Sequence, residues 1–360
     1  YYSLGRYAEA LEQHSRANEL ARALGDRRLL ATSYGAMGQC EIALCRYTPA
    51  LLHLQEELRI SRAIGDGYLQ EMCHENLGEL YMTLGAHDRS IEEYDRAMAL
   101  AGETGSGAGA AANHIDIAGN LIEKRDFDGA EKRLRQAAAL LEEAQDVNIS
   151  AMVHYRTGML HLSRGKDDDL DAALAAFHRL GDLADRHGFD SHRILARSYA
   201  GLCQYRLGRT TVARDLSAEA ISLLAECGPL YGGSHDILYN HALILRAARE
   251  TAEADRCIER AYEELTAAAE SIEDAALYRS FLENVRVNAE IVREFAVTHR
   301  SESPQALTAV REQNLRTLYD VARKINSVLD LDPLLDNIMD SALETMNGER
   351  GLIFLSLIHI

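Results

Sequence analysis

The sequence predicts an all-α chain built as an array of about seven stacked helix pairs, and three observations predict it. The chain repeats itself every 40 residues: LGRYAEAL (4–11), LCRYTPAL (44–51), LGAHDRSI (84–91) and KRDFDGAE (124–131) align without a gap. Small residues recur in the same register, at Gly38, Gly78, Ala118, Gly158, Gly201 and Ala242. The 360 residues hold four Pro and no Trp between long runs of Ala, Leu, Glu and Arg, a composition that favours helices.

The first pair opens in the last turn of its first helix, so more protein is expected upstream. Gly5 then occupies the turn inside that pair. The turn column runs 5, 45, 85, 125, 165, 208, 249, with three extra residues in the fifth copy at KDDDLDAAL (166–174). A small residue follows each turn, at Ala10, Ala50, Ser90, Ala130, Ala173, Ala213 and Ala254. Antiparallel helices approach closely only where side chains are small. The larger residues Leu77, Tyr81, Tyr94, Leu134, Phe177 and Ile258 are expected to fill the space around those contacts, and stacking buries what one pair cannot bury alone. Turns between pairs recur at Gly25-Asp26, Gly65-Asp66, Gly105-Ser106 and Gln145-Asp146. Gly can close a helix in the left-handed conformation, and Asp or Ser can cap the next one.

After the seventh copy, SIEDAALYRSFLENVRVNAEIVREFAVTH (271–299) reads as one long helix. Leu277, Phe281, Val285, Val292 and Phe295 lie on one side of it, and its expected role (270–299) is to cover the last repeat. Residues 300–306, containing Pro304, read as a linker. A helix over 307–330 follows, with Leu318, Val321, Ile325 and Val328 spaced as a short heptad seam suited to a homodimer. Asp332 and Pro333 then start a further helix, NGERG turns, and LIFL is strand-like.

These repeats resemble the tetratricopeptide repeat family in its longer form, over residues 1–269. The Pro usual at the end of the second helix is missing throughout. The resemblance implies a right-handed superhelical solenoid whose groove holds a protein or peptide partner. First-helix residues line that groove, here Gln39, Glu75, Asn76, Glu79, Met82, Tyr155, Met159, Tyr205, Arg206, Tyr239 and Arg246. Their mixture of Met, Tyr and Arg suits a peptide or partner helix. The stretch INSVLDLDPLLDNIMDSALETMNGERGLIFL (325–355) is similar to the start of a GAF domain, with the domain proper opening at 331. The rest of that domain, with its central sheet and ligand pocket, is not in the sequence, so no ligand residue carries over. SLIHI (356–360) departs from the pattern and reads as a non-native tail.

Net charge is −18 and the isoelectric point about 5.2, which opposes binding to nucleic acid or to an anionic membrane. No apolar run approaches the ~20 residues of a membrane span. A cytoplasmic protein with reduced, buried thiols is expected; the six cysteines form no CxxC. GETGSGAGAA (102–111) has the glycines of a phosphate loop but follows a helical stretch, so it reads as an inter-repeat turn. KDDDLD (166–171) reads as a solvated loop with a helix-capping Asp. The histidines lack the spacing of a zinc site. No GxSxG, P-loop or kinase signature occurs. The expectation is therefore a non-enzymatic module without metal or cofactor. It would be the sensory repeat region of a multidomain bacterial signalling protein, relaying to a GAF domain and to an output domain of the sigma-54 regulator type. The alternatives are a regulatory fragment of a Ser/Thr or histidine kinase or a nucleotide cyclase, and a passive scaffold.

Overall fold

The computed structural model describes residues 5–104, 107–144, 146–228 and 230–299. They form fifteen α-helices and, among the described residues, no strand. The relay seam at Leu318, Val321, Ile325 and Val328 and the GAF-like stretch lie outside the described residues. The chain divides into two units, Tyr1–Thr298 and His299–Ile360, and the contacts described all lie within the first.

Helix α1 (Tyr7–Leu24) is the second helix of the opening pair. Six full pairs follow: α2 (Arg27–Ala43) with α3 (Tyr47–Ile64), α4 (Gly67–Thr83) with α5 (His87–Thr104), α6 (Gly107–Glu123) with α7 (Phe127–Ala144), α8 (Val147–Arg164) with α9 (Asp167–His187), α10 (Asp190–Arg206) with α11 (Thr210–Cys227), and α12 (His235–Ala247) with α13 (Thr251–Ala269). All seven positions of the predicted turn column have positive φ, from 56° to 76°. Four are Gly. Cys45, Arg125 and Arg249 hold the same left-handed conformation at a cost of about 1 kcal/mol each. Between pairs, the Asp26 carboxylate accepts from the Leu29 N–H at 3.0 Å and the Asp66 carboxylate from the Leu69 N–H at 3.1 Å. Asp146 accepts from Asn148 and Ile149.

The small-residue columns are where the helices of a pair interlock. A Cβ at Gly78 would lie 2.9 Å from the Tyr94 ring, one at Gly158 2.6 Å from the Phe177 ring, and one at Gly38 2.7 Å from Leu54. No real Cβ makes such contacts, so in each case the glycine is what lets the large side chain of the second helix seat itself.

Two expectations need correction. The extra residues of the fifth copy do not form a loop; they lengthen α9 to 21 residues, against 18 for α3, α5 and α7. The N-cap is Lys166, with no side-chain cap bond, and Asp167, Asp168 and Asp169 occupy the first turn. Three carboxylates there favour helix by facing the positive end of its dipole. Nor is 271–299 one helix. It divides into α14 (Ala275–Glu283) and α15 (Arg286–His299). The break is held by Asn284, whose amide donates to the Gly85 carbonyl at 3.2 Å and to the Ser280 hydroxyl at 2.9 Å. Of the cysteines, Cys40, Cys73, Cys203 and Cys257 are buried, Cys45 is half-buried and Cys227 is exposed; all are free thiols.

The break lets the C-terminal helices touch both ends of the array. Tyr47 N–H donates to the Ser271 hydroxyl at 3.0 Å, Thr48 N–H to the Ser271 carbonyl at 3.2 Å, and Glu273 N–H to the Thr48 hydroxyl at 2.9 Å. Arg286 N–H donates to Glu123 at 3.2 Å. The segment 271–286 therefore follows the turn edge of three successive early repeats. Helix α15 then packs on the last pair, with the Phe295 ring stacked on Tyr262 at 3.8 Å. A single apolar core unites Ile42, Leu54, Leu77 and Leu80 with Leu238, Ile258, Leu265, Phe281 and Ile291.

One buried acid gives this core a pH dependence. Glu57 is 2 % exposed and its carboxyl is wedged against Gly35. Its Oε2 has no hydrogen-bond partner among the described residues. Burial pushes its pKa from the ordinary 4.5 to about 8, with only the Cys73 thiol opposing. Folding then takes up a proton. The stability this group contributes is fully present below pH about 4.5 and is lost as pH rises through about 8. Glu57→Gln is expected to flatten that slope and to raise Tm by several degrees near pH 9, where wild type must bury a charge. Thermal melts across that range check it; equal slopes for the two proteins would show that Glu57 ionises freely.

Candidate partner-binding face

The first helices α2, α4, α6, α8, α10 and α12 stand side by side, and their facing residues bond in the repeat register. Gln39 donates its amide to Asn76 at 2.8 Å, and Asn113 to Glu75 at 2.9 Å. The Arg156 guanidinium lies 3.4 Å from Asp116 and 3.6 Å from the Met82 sulfur. Tyr199 donates its hydroxyl to Asp236 at 2.8 Å and meets the Tyr155 ring edge-on at 5.8 Å. Arg206 donates to the Leu162 carbonyl at 2.9 Å.

Where α4, α6 and α8 adjoin, three carboxylates face one cation. Burial pushes Glu75 and Glu79 up to about 7 and raises Asp116, with Arg156 opposing at Asp116 and Glu79. The Asp116 and Arg156 side chains are 18 % and 20 % exposed. The guanidinium lies over Gly119, whose absent side chain leaves room for it. The Tyr231 hydroxyl, from the loop between α11 and α12, is beside Glu79, and its ring meets Tyr7 of α1 at 5.9 Å. That loop brings a late repeat onto the same patch as the early ones.

The predicted groove residues thus divide into two groups. Glu79, Met82 and Tyr155 are brought together around Arg156, while Gln39 bonds Asn76 and Glu75 accepts from Asn113 along the same row of helices. Met159 is 8 % exposed and belongs to the core. Tyr205 is half-buried against the same core, and Arg206 is exposed. Tyr239 and Arg246 meet α15. Tyr239 is 6 % exposed, its pKa pushed to about 12 by burial, with Glu290 nearby. Arg246 pairs with Asp255 at 2.9 Å and with Glu294, and donates to Thr298 at 3.2 Å. Sequence reasoning missed Asp116, Arg156 and Tyr199. The repeat register carries the signal for all three, because Asn76, Asp116, Arg156 and Tyr199 occupy one column once the extra residues of the fifth copy are allowed for. Among the described residues no group of three His, Cys, Asp or Glu side chains could hold a metal ion, and no described helix is long and apolar enough to cross a membrane.

Comparison with known proteins agrees with this architecture. A tetratricopeptide repeat family model matches residues 1–63. Several solved structures share the fold at low identity. A Rap protein complexed with competence and sporulation factor is 16 % identical with a TM-score of 0.56, covering 80 % of this chain and 86 % of that one. The Rap conjugation gene regulator of the plasmid pLS20, in complex with the Phr* peptide, is 15 % identical with a TM-score of 0.57, covering 76 % and 77 %. NprR in complex with its cognate peptide NprX is 13 % identical with a TM-score of 0.52, covering 91 % and 97 %. No curated protein matches the sequence.

Proposed function

We propose that this helical array is the partner-binding, sensory part of a cytoplasmic bacterial signal-transduction protein. A peptide or protein segment is held on the inner face around Gln39, Glu75, Asn76, Glu79 and Tyr155. The state of that face passes through α14 and α15 to the segment 307–330, expected from its sequence to be helical, and from there to the GAF-like segment and an output domain of the transcriptional-regulator type.

The observation that carries this reading is the course of α14 and α15. The segment 271–286 touches the turns of the early repeats through Ser271, Asn284 and Arg286, and α15 meets the last first-helix through Arg246 and Glu294. A partner that alters the spacing of the first helices must therefore strain or relieve α15. The peptides held by similar solenoids support a peptide as occupant.

Two measurements test it. On an array of random hexapeptides, wild type is expected to give signals that Gln39→Ala with Asn76→Ala removes; a variant that binds the same peptides as strongly removes the inner face from consideration. In sedimentation velocity at tens of micromolar, the chain is expected to dimerise, and Leu318→Arg with Ile325→Arg to return it to monomer. A wild-type monomer at that concentration rules out relay by dimerisation.

A further inference from the structure

The cluster on α4, α6 and α8 has more acceptors than donors. Glu75 receives one amide from Asn113, Glu79 stands beside the Tyr231 hydroxyl, and Asp116 shares Arg156 with the Met82 sulfur. A fourth polar group lies within electrostatic range of these from α5. Tyr94 is 2 % exposed, and its ring is fixed against Gly78. Its hydroxyl has no hydrogen-bond partner among the described residues, yet it feels the charges of Asp116, Glu79, Arg156 and Glu75. A phenol held in such a place without a partner loses a hydrogen bond that water would supply. Two carboxylates of α4 and this phenol oxygen of α5 thus offer acceptors within electrostatic range of one another. A planar cation with five N–H donors can satisfy them together, as no carboxylate or neutral amide can.

We propose that Glu75, Glu79 and Tyr94 form a subsite for the basic side chain of a bound peptide, an arginine guanidinium or a lysine ammonium, with Asp116 and Arg156 as its rear wall. The inference rests on the inner face being a peptide site and names the chemistry of that peptide. The subsite also fixes register along the array, because only a basic residue may sit opposite α4. The groups facing it are Glu71, Glu75 and Glu79 of α4, Tyr94 of α5, Asp116 of α6, Arg156 of α8 and Tyr231 of the loop before α12. Burial holds Glu75 and Glu79 near half-ionisation at neutral pH, so a bound cation draws a proton off this cluster. Binding is expected to strengthen from pH about 6 to about 8.

The test is isothermal titration of the full chain with an acetylated, amidated alanine pentapeptide carrying a central arginine, beside the same peptide with citrulline. Wild type is expected to bind the arginine peptide about tenfold more tightly than the citrulline one. Glu75→Gln with Glu79→Gln should abolish that preference. Tyr94→Phe, which removes only the unpartnered hydroxyl, should reduce it by about threefold. Glu12→Gln with Glu56→Gln takes the same charge from the exposed surface and should leave it intact. Equal binding of the two peptides, or an equal loss in the surface control, overturns the subsite. If both peptides bind equally and Gln39→Ala with Asn76→Ala abolishes both, the peptide face stands and only the cation subsite falls. If neither binds at about 1 mM, the cation subsite falls, and the hexapeptide array decides the peptide face separately. Agmatine binding as tightly as the peptide would assign the cluster to a free amine and overturn the peptide-borne form.

Discussion

Phe177→Ala is expected to destabilise the array by about 3–5 kcal/mol, read from the midpoint of a urea unfolding curve. Phe177 of α9 is fully buried, and its ring fills the groove opened by Gly158 of α8. Tyr199 of α10 stacks on the same ring at 5.5 Å, and Tyr155 of α8 lies at 6.5 Å. One side chain thus joins three consecutive helices and sets the two tyrosines that reach the inner face. Removing it leaves a cavity between pairs whose backbones cannot close together, because Gly158 and Phe177 are already at contact. The converse change separates packing from transfer energy. Gly158→Ala adds a methyl where the ring lies and should cost about 1–3 kcal/mol, despite the better helix propensity of Ala. With Phe177→Leu also present, the ring edge is gone, and the double variant should lose clearly less than the sum of the singles. Strict additivity would mean that the two residues do not interlock.

That interlocking was legible in the sequence because it is local to one repeat. Gly78 with Tyr94, and Gly158 with Phe177, fall in columns that a 40-residue register exposes. So does the turn column, where even Cys45, Arg125 and Arg249 adopt the left-handed conformation their position predicts. Two features escaped for physical reasons. The Asp run at 167–169 has loop composition, but at a helix N-terminus the same charges favour helix, and α9 simply starts earlier. The division of 271–299 depends on Asn284 finding the Gly85 carbonyl. No periodicity encodes that contact, because it depends on how far the array has turned after six pairs. The candidate site shows the same division. Its early members, Gln39, Glu75, Asn76 and Glu79, were readable as first-helix positions. The loss of Tyr239 and Arg246 to α15, and the arrival of Tyr231 beside Glu79, come from long-range packing.

Phe281→Ala is expected to cost about 3–5 kcal/mol as well, and its effect should appear at both ends of the array. In an open solenoid each repeat touches only its neighbours, so damage to a C-terminal helix frays the C-terminal repeats and leaves the first ones protected. Here Phe281 is 2 % exposed and packs on Tyr47 of α3 at 5.6 Å, in the core shared by α2, α3, α4, α12, α13, α14 and α15. The hydrogen bonds beside it join residues 224 positions apart. Contacts of that separation couple the ends thermodynamically, since neither can open without exposing the apolar surface of the other. Hydrogen exchange of Phe281→Ala should therefore accelerate in α3 and α4 together with α12–α15, while α8–α10, packed around Phe177, keep their protection. Phe295→Ala, which removes the ring stacked on Tyr262, supplies the contrast, with acceleration centred on α13 and α15. If Phe281→Ala gives that confined pattern instead, α14 is a cap on the last repeat. It could then carry no signal from the inner face of the early repeats, and the proposed route from partner to output would have to run through the stack itself.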